Sequence, residues 1–236
     1  MQILPDIYLL SGYAFGLHQN VYGIDIPDKK QLILIDCGLD KTDRHMIKRS
    51  KALWNLEDRK TAAVFITHSH FDHAGNAAGF EAGGSRIYAG KDSESLLSGD
   101  EHTIDFAYGK PFPVCRRVHT LYDKDRITLG ANCEIICHHT PGHTPGSMCY
   151  ELNYTGMKII FTGDFIQAGE SVNAVRLGIK VDIGYNYVDY LDSMRKMMCL
   201  NADAVLPGHY YPWLSNGKRM FQLGYRELLV NREHYV

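Results

Sequence analysis

No apolar run in this 236-residue chain approaches the ~20 residues that a membrane-spanning helix requires. Its first residues, Met1 to Leu10, lack a basic stretch followed by an apolar core, and Pro5 and Asp6 interrupt them, so no secretion signal is expected. Charge of one sign is missing as well. Lys plus Arg total 25 against 27 Asp plus Glu, and a formal net charge of -2 gives little steering toward a polyanion such as nucleic acid. Cysteine occurs six times but never as a C-x-x-C pair, which removes thiol-redox and Cys-based zinc-knuckle motifs from consideration. Without a secretion signal, reduced thiols are expected at Cys37, Cys115, Cys133, Cys137, Cys149 and Cys199, and a cytoplasmic protein with no membrane partner. What remains is ordinary globular composition: 45% hydrophobic and 22% charged residues, enough to exclude a disordered or fibrous chain. The length suits one compact domain over residues 1–236.

Punctuation by Gly, Pro and Asp divides the first part into strands at Ile3 to Leu10, Asn20 to Ile26 and Gln31 to Asp36, with a hairpin turn at Pro27 to Lys30. Thr42 or Asp43 can cap a helix running to about Leu56, with Met46, Ile47, Ala52 and Leu53 toward the core. Ala62 to Thr67 reads as a buried strand, Gly75 to Ala82 as a helix of small residues, Arg86 to Ala89 as a strand and Lys91 to Ser98 as a helix. Residues 100–115, with two prolines and no clean period, read as a loop of the kind that often forms a lid; Phe106, Tyr108 and Phe112 would be its apolar face, opposite a wall at 166–187. Strands then recur at Val118 to Tyr122, Arg126 to Leu129, Cys133 to His139, Ser147 to Glu151, Lys158 to Thr162 and Ala204 to Leu206, with helices at Tyr187 to Leu200 and Lys218 to about Asn231. Strands followed by helices, twice, without a linker, predict an α/β chain: two mixed sheets packed together with helices outside, a four-layer αββα sandwich.

The strongest chemical signal is Thr67-His68-Ser69-His70-Phe71-Asp72-His73-Ala74-Gly75. Three imidazoles and a carboxylate follow directly on a buried strand. Imidazole nitrogen and carboxylate oxygen suit zinc, iron and manganese, and groups crowded this closely converge at low cost only around a divalent ion. Three later fragments repeat the arrangement of a short apolar strand, a glycine turn and one candidate ligand: His143 in Thr140-Pro141-Gly142-His143, Asp164 in Phe161-Thr162-Gly163-Asp164, and His209 in Leu206-Pro207-Gly208-His209.

In this order the motifs resemble the metallo-β-lactamase superfamily of metal-dependent hydrolases, by the H-x-H-x-D-H run and the downstream His, Asp and His across residues 68–209; Leu34-Ile35-Asp36-Cys37-Gly38 resembles the family's Asp-x-Gly element. The resemblance implies the same αββα fold and two divalent metal ions, zinc as first choice with iron or manganese as alternatives. His68, His70 and His143 would bind the first ion, Asp72, His73 and His209 the second, and Asp164 would bridge them. It also implies a hydrolase that uses a metal-bridging hydroxide, with Asp72 and Asp164 as the catalytic carboxylates. Asp36 is a candidate to orient a ligand histidine, or else a cap of the following turn; Cys37 reads as a small buried thiol.

Asp164 disfavours antibiotic hydrolysis, because the β-lactamases that the chain resembles carry Cys there or lack a bridging carboxylate. The remaining reading is a hydrolase of a small ester, thioester or lactone, similar to glyoxalase II-like and lactonase-like members. Glyoxalase II carries a helical substrate domain after its last ligand, whereas 27 residues follow His209 here. The acyl-homoserine lactonases place Tyr three residues after the bridging Asp, where this chain has Gln167; Tyr185, Tyr187, Tyr210 and Tyr211 are candidates to replace it. Alternatives kept open are a phosphodiesterase or endoribonuclease-like member, and a mononuclear iron, persulfide dioxygenase-like member. A non-catalytic module is disfavoured because all seven ligands are in place. The basic residues of Arg44 to Lys60 fit a solvated helix face, so a nucleic-acid partner is not expected. A small molecule is the expected substrate, and a homodimer is compatible with the resemblance.

Overall fold

The computed structural model describes residues 1–130, 133–171, 173–178 and 183–235. The first sheet runs in chain order: β1 (Gln2–Leu4), β2 (Ile7–Ser11), β3 (Val21–Ile26), β4 (Gln31–Ile35), β5 (Lys60–Phe65), β6 (Arg86–Ala89) and β7 (His119–Thr120). β1 to β4 are antiparallel neighbours, and β4 to β7 are parallel, as crossovers through helices require. α1 (Lys41–Leu53), α2 (Phe71–Ala74), α3 (Ala77–Ala82) and α4 (Ser93–Ser98) lie in those crossovers. The second sheet has β8 (Arg126–Gly130), β9 (Cys133–His139), β10 (Met148–Tyr154), β11 (Met157–Gly163) and β14 (Ala204–Pro207) in the order β14-β11-β10-β9-β8. A small hairpin of β12 (Gln167–Ala168) and β13 (Val175–Arg176) follows β11, then α5 (Tyr187–Met198), α6 (Gly217–Val230) and α7 (Arg232–Tyr235).

Three apolar clusters define four layers. One, with Ile24, Ile35 and Phe65 against Ile135, Tyr150 and Phe161, fills the space between the sheets. A second holds Leu34, Val64 and Ile66 against Ile47 of α1 and Leu96 of α4. The third holds Ile160 and Val205 against Tyr190 and Met194 of α5 and Met220 and Phe221 of α6. The αββα expectation is met, and no helix among the described residues is long and apolar enough to cross a membrane.

Several local expectations are corrected. The first strand breaks in two at Pro5-Asp6, where Asp6 takes φ 56°. α1 is capped by Asp40, whose carboxylate accepts from Thr42 N at 2.8 Å. Its buried stripe is Asp43, Ile47 and Ser50, while Ala52 is exposed and Leu53 is 72% exposed. Polar residues can sit on that face because Ser11 Oγ donates to Asp43 (2.6 Å) and Ser50 Oγ donates to Leu10 O (2.7 Å). Residues 100–115 are not one open lid: Phe112 is buried against Phe71, Tyr108 packs edge-on to Phe71 at 5.3 Å, and Phe106 is 66% exposed. Part of the wall expected at 166–187, residues 172 and 179–182, lies outside the described residues.

Candidate metal centre

Every candidate ligand stands just beyond the C-terminal end of a strand, so the two sheets deliver them to one edge of the sandwich. His68 and His70 follow β5, His143 follows β9, Asp164 follows β11 and His209 follows β14; Asp72 and His73 lie on the single turn of α2, which precedes the helix expected at Gly75 to Ala82 and found as α3. Donor atoms of His68, His70 and His143 lie within 4.8 Å of one another, as do those of Asp72, His73 and His209, and of His68, His73 and Asp164. These are the two triads expected from the sequence, joined by the carboxylate between them. Asp164 Oδ1 is 3.2 Å from His73 Nε2 and 3.3 Å from His209 Nε2, while Oδ2 is 3.9 Å from His143 Nε2.

The rings are held with Nε2 inward. His73 Nδ1 donates to Asp36 Oδ2 at 2.9 Å, and His209 Nδ1 donates to the carbonyl of His18 at 2.8 Å. His68 Nδ1 donates to Thr67 Oγ1 (3.1 Å), which in turn donates to Asp36 Oδ2 (2.9 Å), while Thr67 N donates to Oδ1 (2.8 Å). Asp36 therefore orients two of the candidate ligand histidines, one directly and one through Thr67. Two glycines give the ligands room. A Cβ on Gly208 would stand 2.6 Å from His73 Cε1, and one on Gly163, whose φ is +50°, would stand 2.3 Å from Thr67 Oγ1.

His68 Nε2 and His70 Nε2 are buried with no hydrogen-bond partner among the described residues. A buried lone pair without a donor is costly, and neutral imidazole nitrogens gathered this way are the donor set a borderline cation takes, so the residues fit a divalent metal. Burial pushes His68 well below its ordinary pKa, His70 down to about 4 and His143 down to about 3, which leaves all three neutral at pH 7. For His209, burial opposes charge but Asp164 and Asp72 outweigh it, and the imidazole rises to about 10; His73 is raised in the same way by Asp72, Asp164 and Asp36. Asp72 falls to about 2, its burial outweighed by His73 and His209. Asp72 and Asp164 thus favour a proton on this imidazole pair, whose Nε2 atoms lie 3.2 Å apart, and a divalent cation would compete for the same nitrogens.

Residues that no local motif announced hold the ligand loops. Buried Asp92 accepts through Oδ2 from Ser69 N (3.0 Å), Ser69 Oγ (3.2 Å) and Thr144 Oγ1 (2.8 Å), clamping the His68–His70 loop to the His143 loop. Asn20 Nδ2 donates to the carbonyls of Pro207 (3.0 Å) and Tyr210 (2.9 Å), on either side of His209. Tyr190 OH bonds the carbonyl of Phe165 and accepts from Gly178 N at 2.8 Å. Cys37 does not reach the donors: its thiol donates to His73 O at 3.3 Å, and burial, with Asp36 beside it, keeps its pKa far above the ordinary value.

A cavity of about 520 Å³ opens over Asp72, Asp164 and His209, walled by His18, Tyr108, Gln167, Arg176, Tyr210 and Tyr235 among others. Of the lid candidates Tyr108 reaches it, of the wall expected at 166–187 Gln167 and Val175 to Gly178 do, and Tyr210 is the candidate tyrosine that lines it. Phe106 and Phe112 do not line it, Tyr211 packs edge-on to Tyr13 at 5.1 Å, and Tyr187 OH is committed to Leu228 O at 3.0 Å.

Comparison with known proteins agrees with this geometry. Over 152 residues the chain is 30% identical to a protein of Bacillus subtilis named a probable polyketide biosynthesis zinc-dependent hydrolase, PksB, covering 63% of this chain and 56% of that one. It is 26% identical over 191 residues to a hydroxyacylglutathione hydrolase of Polaromonas, covering 80% of this chain and 61% of that one. The chain thus spans less than two thirds of the length of either relative. A B3 metallo-beta-lactamase with an active-site glutamic acid shares its fold at a TM-score of 0.77 and 23% identity, over 98% of this chain and 87% of that one. The sequence pattern of the Metallo-beta-lactamase superfamily matches residues 14–209, a span that includes all seven clustered donors, and the chain belongs to that superfamily.

Proposed function

We propose that the chain is a dinuclear metal-dependent hydrolase that cleaves a small ester, thioester or lactone. The observation that carries this reading is the position of Asp164, whose Oδ1 faces His73 and His209 while Oδ2 faces His143. One carboxylate therefore serves both donor triads, with His68, His70 and His143 holding one ion and Asp72, His73 and His209 the other. Two divalent ions held by these residues would supply Lewis acidity to an acyl oxygen and acidify water for attack. The chain's own residues supply the rest. Asp36 fixes the ring of His73, Thr67 fixes that of His68, and Gln167, Tyr108 and Tyr210 shape a cavity of small-molecule size. No protein nucleophile is required, and the thiol nearest the donors, Cys37, is buried and protonated. Zinc and an acyl substrate are supported by the names of the two relatives, a zinc-dependent hydrolase and a hydroxyacylglutathione hydrolase.

The test is metal identity and stoichiometry on protein purified without added metal or chelator, followed by a panel of lactones, thioesters and phosphodiesters. Two ions per chain and turnover of an acyl substrate, with both the second ion and the turnover lost in Asp164→Ala, are expected. One iron per chain, with no second ion bound on titration, would overturn the dinuclear reading in favour of an oxidoreductase.

A further inference from the structure

The basic stretch from Arg44 to Lys60 is not one solvated face. Arg59 is committed to Asp25 at 2.7 Å and to Asp58 at 2.8 Å. Arg44, Lys48 and Lys51, spaced four and three residues apart on α1, instead line one side of a second cavity of about 440 Å³. Ile47 and Phe80 give this cavity an apolar floor, and Glu57, Thr61 and Gly79 complete it; it shares no residue with the metal cavity. Ile47 is 4% exposed and belongs to the core beneath, so that floor is fixed.

Lys51 feels the charges of Asp58 and Glu57, whereas Arg44 and Lys48 have no charged partner among the described residues. No ion pair or side-chain hydrogen bond is made by Arg44 or Lys48 among the described residues, and Lys51 Nζ donates only to the carbonyl of Arg59, at 2.6 Å. Glu57 is the single acidic residue in the lining, and it reaches none of the three within ion-pair distance. Like charges spaced three and four residues apart on a helix repel, and the chain keeps that cost in a concave site while its overall charge is -2. Gly79 keeps the site open: a Cβ there would stand 2.8 Å from Arg44 Nη1.

We propose that this cavity is a binding site for a small organic oxyanion, a phosphate or carboxylate head carried on a flat apolar body. The head pairs with Arg44 and Lys48, where a guanidinium offers two parallel donors, and the body lies on Ile47 and Phe80. A concave, half-open site of this size suits a small molecule rather than a polyanion strand. The inference does not depend on the reaction run at the metal centre.

Titration of the metal-loaded protein with phenyl phosphate and with benzoate, beside inorganic phosphate and benzyl alcohol, tests it by calorimetry. One of the two aromatic anions is expected to bind at least about tenfold more tightly than either control, and which one does so identifies the head group. Binding should weaken with added salt and be lost in R44Q/K48Q. Metal content of that variant stays at the wild-type level and its thermal midpoint does not fall, because neither side chain makes an ion pair or side-chain hydrogen bond among the described residues. F80A should weaken the aromatic anion and leave inorganic phosphate unchanged. Equal affinity in wild type and R44Q/K48Q would place any binding elsewhere, at the metal centre above all, and would overturn the proposal; so would a control that binds as tightly as the better of the two aromatic anions.

Discussion

Replacing Asp36 by Asn should cost metal affinity before it costs fold. The carboxylate accepts three hydrogen bonds, from Thr67 N, Thr67 Oγ1 and His73 Nδ1, and it is 2% exposed. An amide can reproduce only part of that set. With its NH2 at the Oδ2 position it faces His73 Nδ1 donor to donor, and the ring escapes only by moving its proton to Nε2, which then cannot ligate. With its NH2 at the Oδ1 position it opposes the Thr67 amide. Loss of a carboxylate that orients a ligand histidine typically costs 10–100-fold in metal affinity, about 1.4–2.7 kcal/mol. Asp36 also sits at φ 57°, a left-handed conformation that Asn tolerates and Ala does not. Asp36→Ala should therefore lose a further ~1–2 kcal/mol of stability relative to Asp36→Asn, at similar metal affinity. Competition against a chromophoric chelator, run beside thermal melts of both variants, separates the two effects. Wild-type metal affinity in Asp36→Asn would refute the reasoning, since it would mean that neither His73 nor His68 takes its orientation from this carboxylate.

Other consequences are equally specific. Tyr108→Ala should raise KM for a verified substrate and leave metal content unchanged, whereas Phe106→Ala, at an exposed position outside the cavity, should alter neither; steady-state kinetics on the pair checks this. Gly208→Ala places a methyl 2.6 Å from His73 Cε1 and 2.9 Å from Asp164 Oδ1, so it should cost about 1–3 kcal/mol and displace ligands, lowering metal stoichiometry. Glu151, hydrogen-bonded by His138 at 2.9 Å and paired with Lys158 at 3.0 Å, is depressed from 4.5 to about 2. A carboxylate lowered on folding stabilises above its unfolded value and loses that contribution as pH falls through its folded value. Glu151→Gln should therefore lose at most about 3 kcal/mol at neutral pH and converge with wild type near pH 2, as denaturant melts across that range would read.

The cluster of candidate donors was legible in the sequence because its chemistry is local. A residue can present a lone pair to an ion only where the chain turns off a strand, and Gly-His, Gly-Asp and H-x-H-x-D-H after apolar runs mark those turns whatever the rest of the chain does. The αββα layering was legible for a similar reason, since strand and helix periods are written within each segment. Other features depended on partners far along the chain. Asp92 reads as an unremarkable residue before a short helix until Thr144, 52 positions on, donates to it; Asn20 gains its role from Pro207, 187 positions away. The core face of α1 was misjudged because hydropathy alone points to Ala52 and Leu53, while Ser11 and Leu10 O supply the bonds that let Asp43 and Ser50 be buried instead. The lid was legible only in part for the same reason: Tyr108 lines the cavity, while Phe112 is drawn into the core by Phe71 and Phe106 is left outside. Sequence determined which atoms could ligate. Only the packing of two sheets against each other decided which carboxylates and carbonyls hold those atoms in place, because burial of a polar group depends on a partner that no local pattern names.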